Sequence, residues 1–239
     1  MLFVGYSFGD SDFQRIYRFM QNQMPEVLPR SYIVTIDDTV DHGLADAHVI
    51  RTDAAHFVAC LKEELIPRGC LLPDERFAGI LPALFAIQDS HHDLYDSIDF
   101  DRFPAAILCG HYQDGLLHSF ERMIKQRRTG EYSHICDVEE MFRYYEDLRR
   151  RKVRSKRYHD AAYIEGYQNG LLYLISDDES RRSLPRYFVY GSKAEIRSIA
   201  ALKRELRRAP VLHKQAYAQA QRLASEWSSG IVLHHRPEL

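Results

Sequence analysis

The first residues of the chain combine a short apolar strand with a turn of the kind that contacts ligands. The strand leads directly into Gly5, Tyr6 and Ser7, and Asp10 and Asp12 then open an amphipathic helix. In a strand-loop-helix unit the loop lies at the carboxyl end of a parallel strand, where open α/β sheets collect ligands. A glycine lets the backbone approach a bound molecule, and a serine hydroxyl donates or accepts a hydrogen bond. The alternative is that Ser7 and Asp10 only shape the turn and cap the helix.

The elements that follow must position this turn. Residues 13, 16, 17 and 20 are apolar at helical spacing, and Pro25 ends the predicted helix. The β-branched run at residues 32–36 is typical of a strand buried on both faces, and Asp37 closes it. A third strand is predicted at residues 47–51.

A second helix is predicted after the third strand, capped by Thr52 or Asp53 and ended by Pro67. Its predicted buried face consists of Phe57, Cys60, Leu61 and Leu65. The resulting order of strand, helix, strand, strand and helix predicts an α/β fold with an incomplete Rossmann-like parallel sheet remnant.

The same segment resembles the last third of the NAD-binding domain of sirtuin-like proteins, particularly the divergent bacterial branch. In those proteins a strand ending in Gly-Tyr-Ser is followed by a helix start that contains aspartate, as at Gly5, Tyr6, Ser7, Asp10 and Asp12 here. The resemblance continues to about residue 67 and covers roughly a quarter of the chain. It implies NAD as the cofactor, NAD binding or hydrolysis as the activity, and a role in bacterial anti-phage defence.

By position, the resemblance also implies which residues contact NAD. The glycine-serine turn approaches the dinucleotide, and the loops after the next two strands help to hold its adenosine end. A carboxylate at a strand end binds ribose hydroxyls in such sites. The implied cofactor-binding residues are Gly5, Tyr6, Ser7, Asp37, Thr52 and Asp53.

Sirtuin-like catalysis uses a glycine-rich loop, an asparagine or aspartate and a histidine base, all earlier in chain order than the Gly-Tyr-Ser turn. We therefore expect no catalytic residue in this chain and weak or absent NAD binding by the chain alone. The enzyme would be a longer chain. We also expect the reading frame to continue upstream, because a buried parallel strand beginning at Leu2 needs a covering neighbour.

Composition indicates a folded protein. The 239 residues, 45% of them hydrophobic, suffice to bury one or two cores. No apolar stretch is long enough to span a bilayer, and no signal-peptide pattern is present, so we expect a cytoplasmic protein without a membrane partner. The four cysteines form no Cys-x-x-Cys pair, which argues against a structural zinc site and a disulfide scaffold.

The net charge of −2 conceals an asymmetry. Residues 137–239 carry 20 basic and 14 acidic side chains, a net charge of +6, and the remainder carries −8. Such separation suggests that the basic part faces a partner, an acidic neighbouring domain or nucleic acid. The densest basic run, a candidate polyanion or partner contact, is Arg149, Arg150, Arg151, Lys152, Arg154, Lys156 and Arg157. The alternatives are a solvated helix end or a subunit contact, because the nearby Tyr144 and Tyr145 suit core packing as well as base stacking.

Beyond residue 67 the chain is predicted to contain a linker and loop region at residues 68–104 and an α-helical interaction or sensing domain at residues 105–239. The predicted helices cover residues 105–125, 138–157, 161–175, 194–208 and 211–227. Ser192 and Glu195 have the spacing of a capping box for the fourth of these helices.

A short motif occurs twice in this helical part. The sequence Tyr-Gln-Asp-Gly-Leu-Leu that begins at Tyr112 returns as Tyr-Gln-Asn-Gly-Leu-Leu at Tyr167, 55 positions later. Glycine inside a helix costs about 1 kcal/mol relative to alanine, so Gly115 and Gly170 predict a close approach of two helices.

Aspartates and histidines of metal-ligand type cluster between Asp89 and Asp101. They lack the fixed helical spacing of His-Glu-x-x-His sites, so a solvated acidic loop is expected and no metal site is assigned.

Two function classes remain open. One is the carboxyl-terminal part of a sirtuin-like NAD-binding or NAD-hydrolysing protein, whose helical part senses a protein trigger or builds a homo-oligomer. The other is a non-catalytic module that binds a protein partner or nucleic acid through its basic carboxyl third.

Overall fold

The computed structural model describes residues 1–4, 11–23, 30–37, 47–177, 180–181 and 183–228. The chain divides into two compact units, Met1–Gly69 and Cys70–Leu239. The first unit is a small α/β unit and the second is α-helical, in agreement with the predicted fold class at this level of detail. In the described part of the chain, no helix combines the length and the apolar character needed to cross a membrane.

The first unit contains a three-stranded parallel sheet. Its strands are β1 (Leu2–Val4), β2 (Ser31–Thr35) and β3 (Ala47–Arg51), in the order β1-β2-β3. In the register Phe3 lies opposite Ile33, which lies opposite Val49. Helix α1 covers Ser11–Gln23 and helix α2 covers Ala54–Leu65. The predicted element order is therefore confirmed, including the parallel pairing.

The buried apolar residues in the described part of this unit are Tyr17, Ile33 and Val34. Tyr17 and Ile33 pack together, and the Tyr17 hydroxyl is hydrogen-bonded to the buried Ser31 hydroxyl at 2.7 Å. Two other members of the predicted apolar stripe on α1, Ile16 and Met20, remain 56% and 37% exposed.

Helix α2 contains no buried residue, so the predicted buried face is wrong. Cys60 and Leu61 are exposed, while Phe57 and Leu65 are half-buried. The physical reason is that three short strands supply too little apolar surface to cover a helix of twelve residues.

In the described part of the second unit, seven α-helices have defined bounds, and a 3-10 helix covers Arg127–Thr129. The α-helices are α3 (Asp74–Ala78), α4 (Ile80–Ser97), α5 (Ala106–Gln126), α6 (Ile135–Arg154), α7 (Tyr158–Ile175), α8 (Ile199–Leu212) and α9 (Lys214–Ser228). Their largest apolar cluster is centred on α5 and α7, where Tyr112, Leu116, Phe120, Tyr167 and Leu171 are fully buried. A second cluster joins α4 and α5 to α8.

The expectation of a linker and loop at residues 68–104 is wrong over much of its length. Helix α4 runs through the stretch that contains Asp89 and Asp96. Ile80, Leu84, Ile87 and Leu94 form its buried face, and the aspartates and histidines occupy mainly the other sides. An amphipathic helix with a polar outer face therefore resembled an acidic loop in the sequence.

Helices α5 and α7 pack backbone to backbone, which confirms the close approach predicted from the repeated motif. A Cβ atom on Gly115 would collide with the carbonyl oxygen of Tyr163, and a Cβ atom on Gly166 would collide with that of Tyr112. At Gly170 an added Cβ would collide with the Ser119 side chain. Only glycine permits this helix separation, as at other small-residue helix crossings.

The predicted capping box at Ser192 and Glu195 is wrong. Helix α8 begins after Ser198, whose hydroxyl accepts a hydrogen bond from the Ala201 N–H at 3.3 Å. The Ser192 hydroxyl instead donates to Glu205 at 2.9 Å. Pro210 lies inside α8, which ends at Leu212.

Candidate functional site

The carboxyl edge of the parallel sheet carries two of the predicted NAD contacts. The Thr52 N–H donates to the Thr35 carbonyl at 3.1 Å, which joins the end of β3 to the end of β2. The Asp37 N–H donates to the Thr35 hydroxyl at 3.1 Å, so the same residue also shapes the turn after β2. Thr35 therefore brings Asp37 and Thr52 to one edge of the sheet.

Asp53 has a structural role at this edge. Its carboxylate accepts a hydrogen bond from the His56 N–H at 2.9 Å and caps α2. This is the ordinary role of an aspartate before a helix, as the capping interpretation expected. The other predicted contacts of this site, Gly5, Tyr6 and Ser7, lie outside the described residues.

The basic run at the end of α6 is largely neutralised by carboxylates of the same chain. Arg149 contacts Glu146 at 3.0 Å and Glu165 at 3.3 Å, and Arg150 contacts Glu146 at 3.0 Å. Hydrogen bonds from Arg149 lower the pKa of Glu146, whereas burial raises the pKa of Glu165.

Two further members of the run converge on one buried carboxylate. Lys152 lies 3.1 Å and Arg157 lies 2.6 Å from Asp160, whose side chain is 7% exposed. Four of the seven predicted polyanion contacts are therefore ion-paired within the chain, and two of these four, Arg149 and Lys152, join α6 to α7. Arg151, Arg154 and Lys156 are exposed and form no ion pair with another described residue.

A cavity of about 360 Å³ lies between the α4–α5 loop and α8, and its lining also carries unpaired positive charge. Arg102, Lys203 and Arg207 line it, and none of them forms an ion pair with another described residue. Its carboxylate, Asp99, accepts the N–H groups of Asp101 and Arg102 at 3.0 and 3.2 Å. With three cations and one carboxylate, the lining has a net charge of +2 and suits an anionic group.

A second cavity, of about 520 Å³, lies where α5, α6 and α7 meet, and we name it the tyrosine pocket. Tyr167 of α7 is fully buried and Tyr145 of α6 is 6% exposed. Their ring centroids are 4.4 Å apart, and Tyr144 stands edge-on to Tyr145 at 5.4 Å. The three rings therefore form one wall of the pocket, and their exposure to solvent increases from Tyr167 to Tyr144.

Carboxylates complete the lining of the tyrosine pocket. Asp137 and Glu140 come from the same face of α6 as the tyrosines, and Arg122 of α5 faces Glu131 at 3.8 Å. One cation and three carboxylates give this lining a net charge of −2. Burial raises the pKa of both Tyr145 and Tyr167, so the phenols stay neutral and the carboxylates set the charge.

The phenol groups behind this pocket are hydrogen-bonded. The Tyr167 hydroxyl lies 3.1 Å from the Tyr132 hydroxyl, and His118 forms a short hydrogen bond with the Tyr163 hydroxyl. The hydroxyl of Tyr167 in the inner wall is thus held by Tyr132, while His118 and Tyr163 lie outside the lining.

Among the described residues, neither a group of metal-ligating side chains nor the Cys109 thiol forms a candidate site. In the described part of the chain, no group of three or more histidine, cysteine, aspartate or glutamate residues has a metal-binding arrangement. Cys109 is fully buried and accepts a hydrogen bond from the Phe188 N–H, and burial raises the pKa of its thiol to about 12. Such a thiol is inert as a nucleophile.

Sequence reasoning missed both cavities. The tyrosine pocket did have a signal, because its residues on α6 recur at helical spacing: Asp137, Glu140, Met141, Tyr144 and Tyr145. The cationic cavity had none, since Arg102 lies about a hundred residues from Lys203 and Arg207. Comparisons with protein-family models, with curated proteins and with solved structures find no match to this chain.

Proposed function

We propose that the first unit forms part of the NAD site of a sirtuin-like NAD-binding or NAD-hydrolysing protein that acts in bacterial anti-phage defence. The observation that carries the proposal is the parallel order β1-β2-β3, because it puts the residues after each strand at one carboxyl edge. Asp37 and Thr52 lie at that edge and supply a carboxylate and a hydroxyl of the kind that bind ribose.

Exposed apolar side chains on the first unit support its being one part of a larger sheet domain. Parallel sheets are normally covered on both faces. Here Leu2 of β1 is 48% exposed, Phe19 of α1 is 64% exposed and Val58 of α2 is 53% exposed. Further polypeptide that covers these positions would complete the fold and supply the catalytic histidine and glycine-rich loop.

The test is NAD binding by calorimetry and nicotinamide release, measured on the 239-residue chain and on the protein encoded by its complete gene. The chain alone should bind too weakly to detect near millimolar NAD and should release no nicotinamide. The complete protein should bind NAD, and Asp37→Asn should weaken binding by about tenfold or more, as expected when a hydrogen bond to a charged group is removed.

Thr52→Val and Ser7→Ala test the other predicted contacts in the complete protein. Glu64→Gln is the matched control for Asp37→Asn, because Glu64 pairs with Arg68 near the far end of α2. If all three site variants bind NAD as the parent does, or if the complete protein does not bind NAD, the proposal is wrong.

A second candidate is a non-catalytic module that binds a partner through its basic carboxyl third. The observation that favours it is the cationic cavity, where Arg102, Lys203 and Arg207 face solvent-accessible space without ion-pair partners among the described residues. We propose that nucleic acid or another polyanion contacts this cavity in preference to the run at 149–157.

This candidate is tested by the salt dependence of nucleic-acid binding. Replacing Arg102, Lys203 and Arg207 by glutamine should reduce the log-log slope on duplex DNA by about 0.9 for each phosphate that the variant no longer neutralises. The matched control replaces Arg151, Arg154 and Lys156, which removes the same charge from an exposed surface. Equal effects of the two triple variants, or no binding by the parent chain, would exclude the cavity as the binding surface.

A further inference from the structure

We propose that the tyrosine pocket binds a small organic cation of the alkylammonium or guanidinium class. This inference goes beyond the proposed NAD site, since all its residues belong to the second unit. The argument rests on the shape, the aromatic wall and the charge of the pocket.

The aromatic wall provides the surface that such a cation needs. Cations bind over aromatic faces because the ring quadrupole is negative there, and quaternary ammonium groups are typically held among several rings. Tyr144 stands at the mouth with 56% of its surface exposed and offers its ring to a ligand, whereas the buried Tyr145 and Tyr167 back the pocket from the interior. Met141 adds a polarizable apolar contact from the same face of α6.

The charge of the lining selects a cation over an anion or a neutral molecule. Arg122 is paired with Glu131 at 3.8 Å, so the pocket's own cation is already balanced. Asp137 and Glu140 then leave a net charge of −2. His134 lies 3.6 Å from Asp137 and offsets that carboxylate only when it is protonated.

The size of the pocket limits the ligand to a small molecule or a single side chain. Its volume of about 520 Å³ lies within the range of roughly 300–1,000 Å³ that is typical of small-molecule sites. The same contacts would recognise an alkylammonium group and a guanidinium group, because both are organic cations. The alkylammonium group belongs to a free small molecule, whereas the guanidinium group also belongs to an arginine of a bound polypeptide.

The experiment is a set of titrations of the full 239-residue chain with three probes, followed by nuclear magnetic resonance. Choline presents a free quaternary ammonium group, and N-acetylarginine amide presents the guanidinium group as a polypeptide does. The neutral control is 3,3-dimethyl-1-butanol, in which carbon replaces the nitrogen of choline. We expect at least one of the two cations to bind at least fivefold more tightly than the neutral probe.

Variants at the mouth of the pocket link this binding to the site. Tyr144→Leu should weaken cation binding about two- to fivefold, and Tyr144→Phe should preserve it, as for an exposed cation–π contact. Glu140→Gln should also weaken it. Glu139→Gln is the matched control, since Glu139 is adjacent in sequence and pairs with Arg143 on the outside of α6.

Both residues chosen for substitution are exposed, so the variants are expected to fold, which circular dichroism checks. Preferential binding of choline alone identifies a small alkylammonium compound as the ligand class, and preferential binding of the arginine derivative alone identifies the arginine side chain of a partner. The proposal is overturned if neither cation binds below about 20 mM, a concentration at which contacts of about 2 kcal/mol are already visible. It is equally overturned if the neutral probe binds as well as the cations, or if Glu140→Gln and Glu139→Gln behave alike.

Discussion

The described parts of the two units differ in how closely their residues pack. In the first unit Tyr17 and Ile33 form the buried apolar centre, and α2 buries no residue. In the second unit the α5–α7 pair is so close that side chains are excluded from the contact at Gly115 and Gly166. The predicted NAD contacts thus belong to the first unit, whereas the basic run and both cavities belong to the second.

The strongest test of this comparison separates the units. The fragment Cys70–Leu239 should keep its helical circular dichroism and unfold cooperatively, because both large apolar clusters lie within it. The fragment Met1–Gly69 should show no cooperative thermal transition, since so little of its apolar surface is buried. A cooperative transition in the smaller fragment, or its loss from the larger one, would break the comparison.

The glycine contact should be the most sensitive point of the second unit. Gly115→Ala and Gly166→Ala each put a Cβ atom against a backbone carbonyl, and we expect each to lower the free energy of unfolding by at least about 3 kcal/mol. Gly79→Ala is the control, because its Cβ would meet only the tips of Tyr173 and Arg181 at 3.3 and 3.4 Å. Urea denaturation measures all three, and equal losses would contradict the close-contact explanation.

The ion pairs at the end of α6 should contribute less than the glycine contact. Asp160→Asn leaves Lys152 and Arg157 without their shared buried carboxylate, and we expect a loss of about 2–4 kcal/mol. Asp147→Asn serves as control, since Asp147 is 75% exposed and meets Arg150 at only 3.9 Å. If Asp160→Asn lowers the free energy of unfolding as little as Asp147→Asn does, the basic run is a solvated surface.

The smallest effect is expected at Lys156, which has a φ of 59° in the turn after α6. The Arg157 N–H donates to the Lys152 carbonyl at 2.9 Å there, the hydrogen bond of a helix end that usually has glycine in the left-handed position. Lys156→Gly should therefore stabilise the chain by about 0.5–1 kcal/mol. Arg151→Gly, inside the helix, should destabilise it by about 1 kcal/mol. The opposite signs, measured by urea denaturation, distinguish backbone strain from loss of charge.

Local patterns predicted much of this fold. The apolar spacing located α5 and α7 to within three residues at either end, and the β-branched run located β2 and its parallel neighbours. The glycines of the repeated motif predicted the α5–α7 contact because a helical glycine is unfavourable unless close packing requires it. The α/β class of the first unit followed from the same local signals.

The features that could not be predicted depend on contacts between residues that are far apart in the sequence. The sequence predicts a loop where α4 lies because the polar face of this helix is rich in aspartate and histidine, although Ile80, Leu84 and Ile87 mark a buried face. The basic run is a candidate polyanion or partner contact in the sequence because two of the carboxylates that balance it, Glu165 and Asp160, lie on the next helix. Whether the sheet edge binds NAD remains a prediction.

The contact at Gly166 also determines how the tyrosine pocket responds to a ligand. Tyr167, the next residue, backs that pocket with a fully buried ring, so this wall is attached to a part of α7 whose backbone is in close contact with α5. A ligand that enters should therefore lose little affinity to ordering of this wall. Binding should then depend chiefly on the fit at the mouth, where Tyr144 and Glu140 remain accessible, which makes these two positions the natural determinants of ligand selectivity.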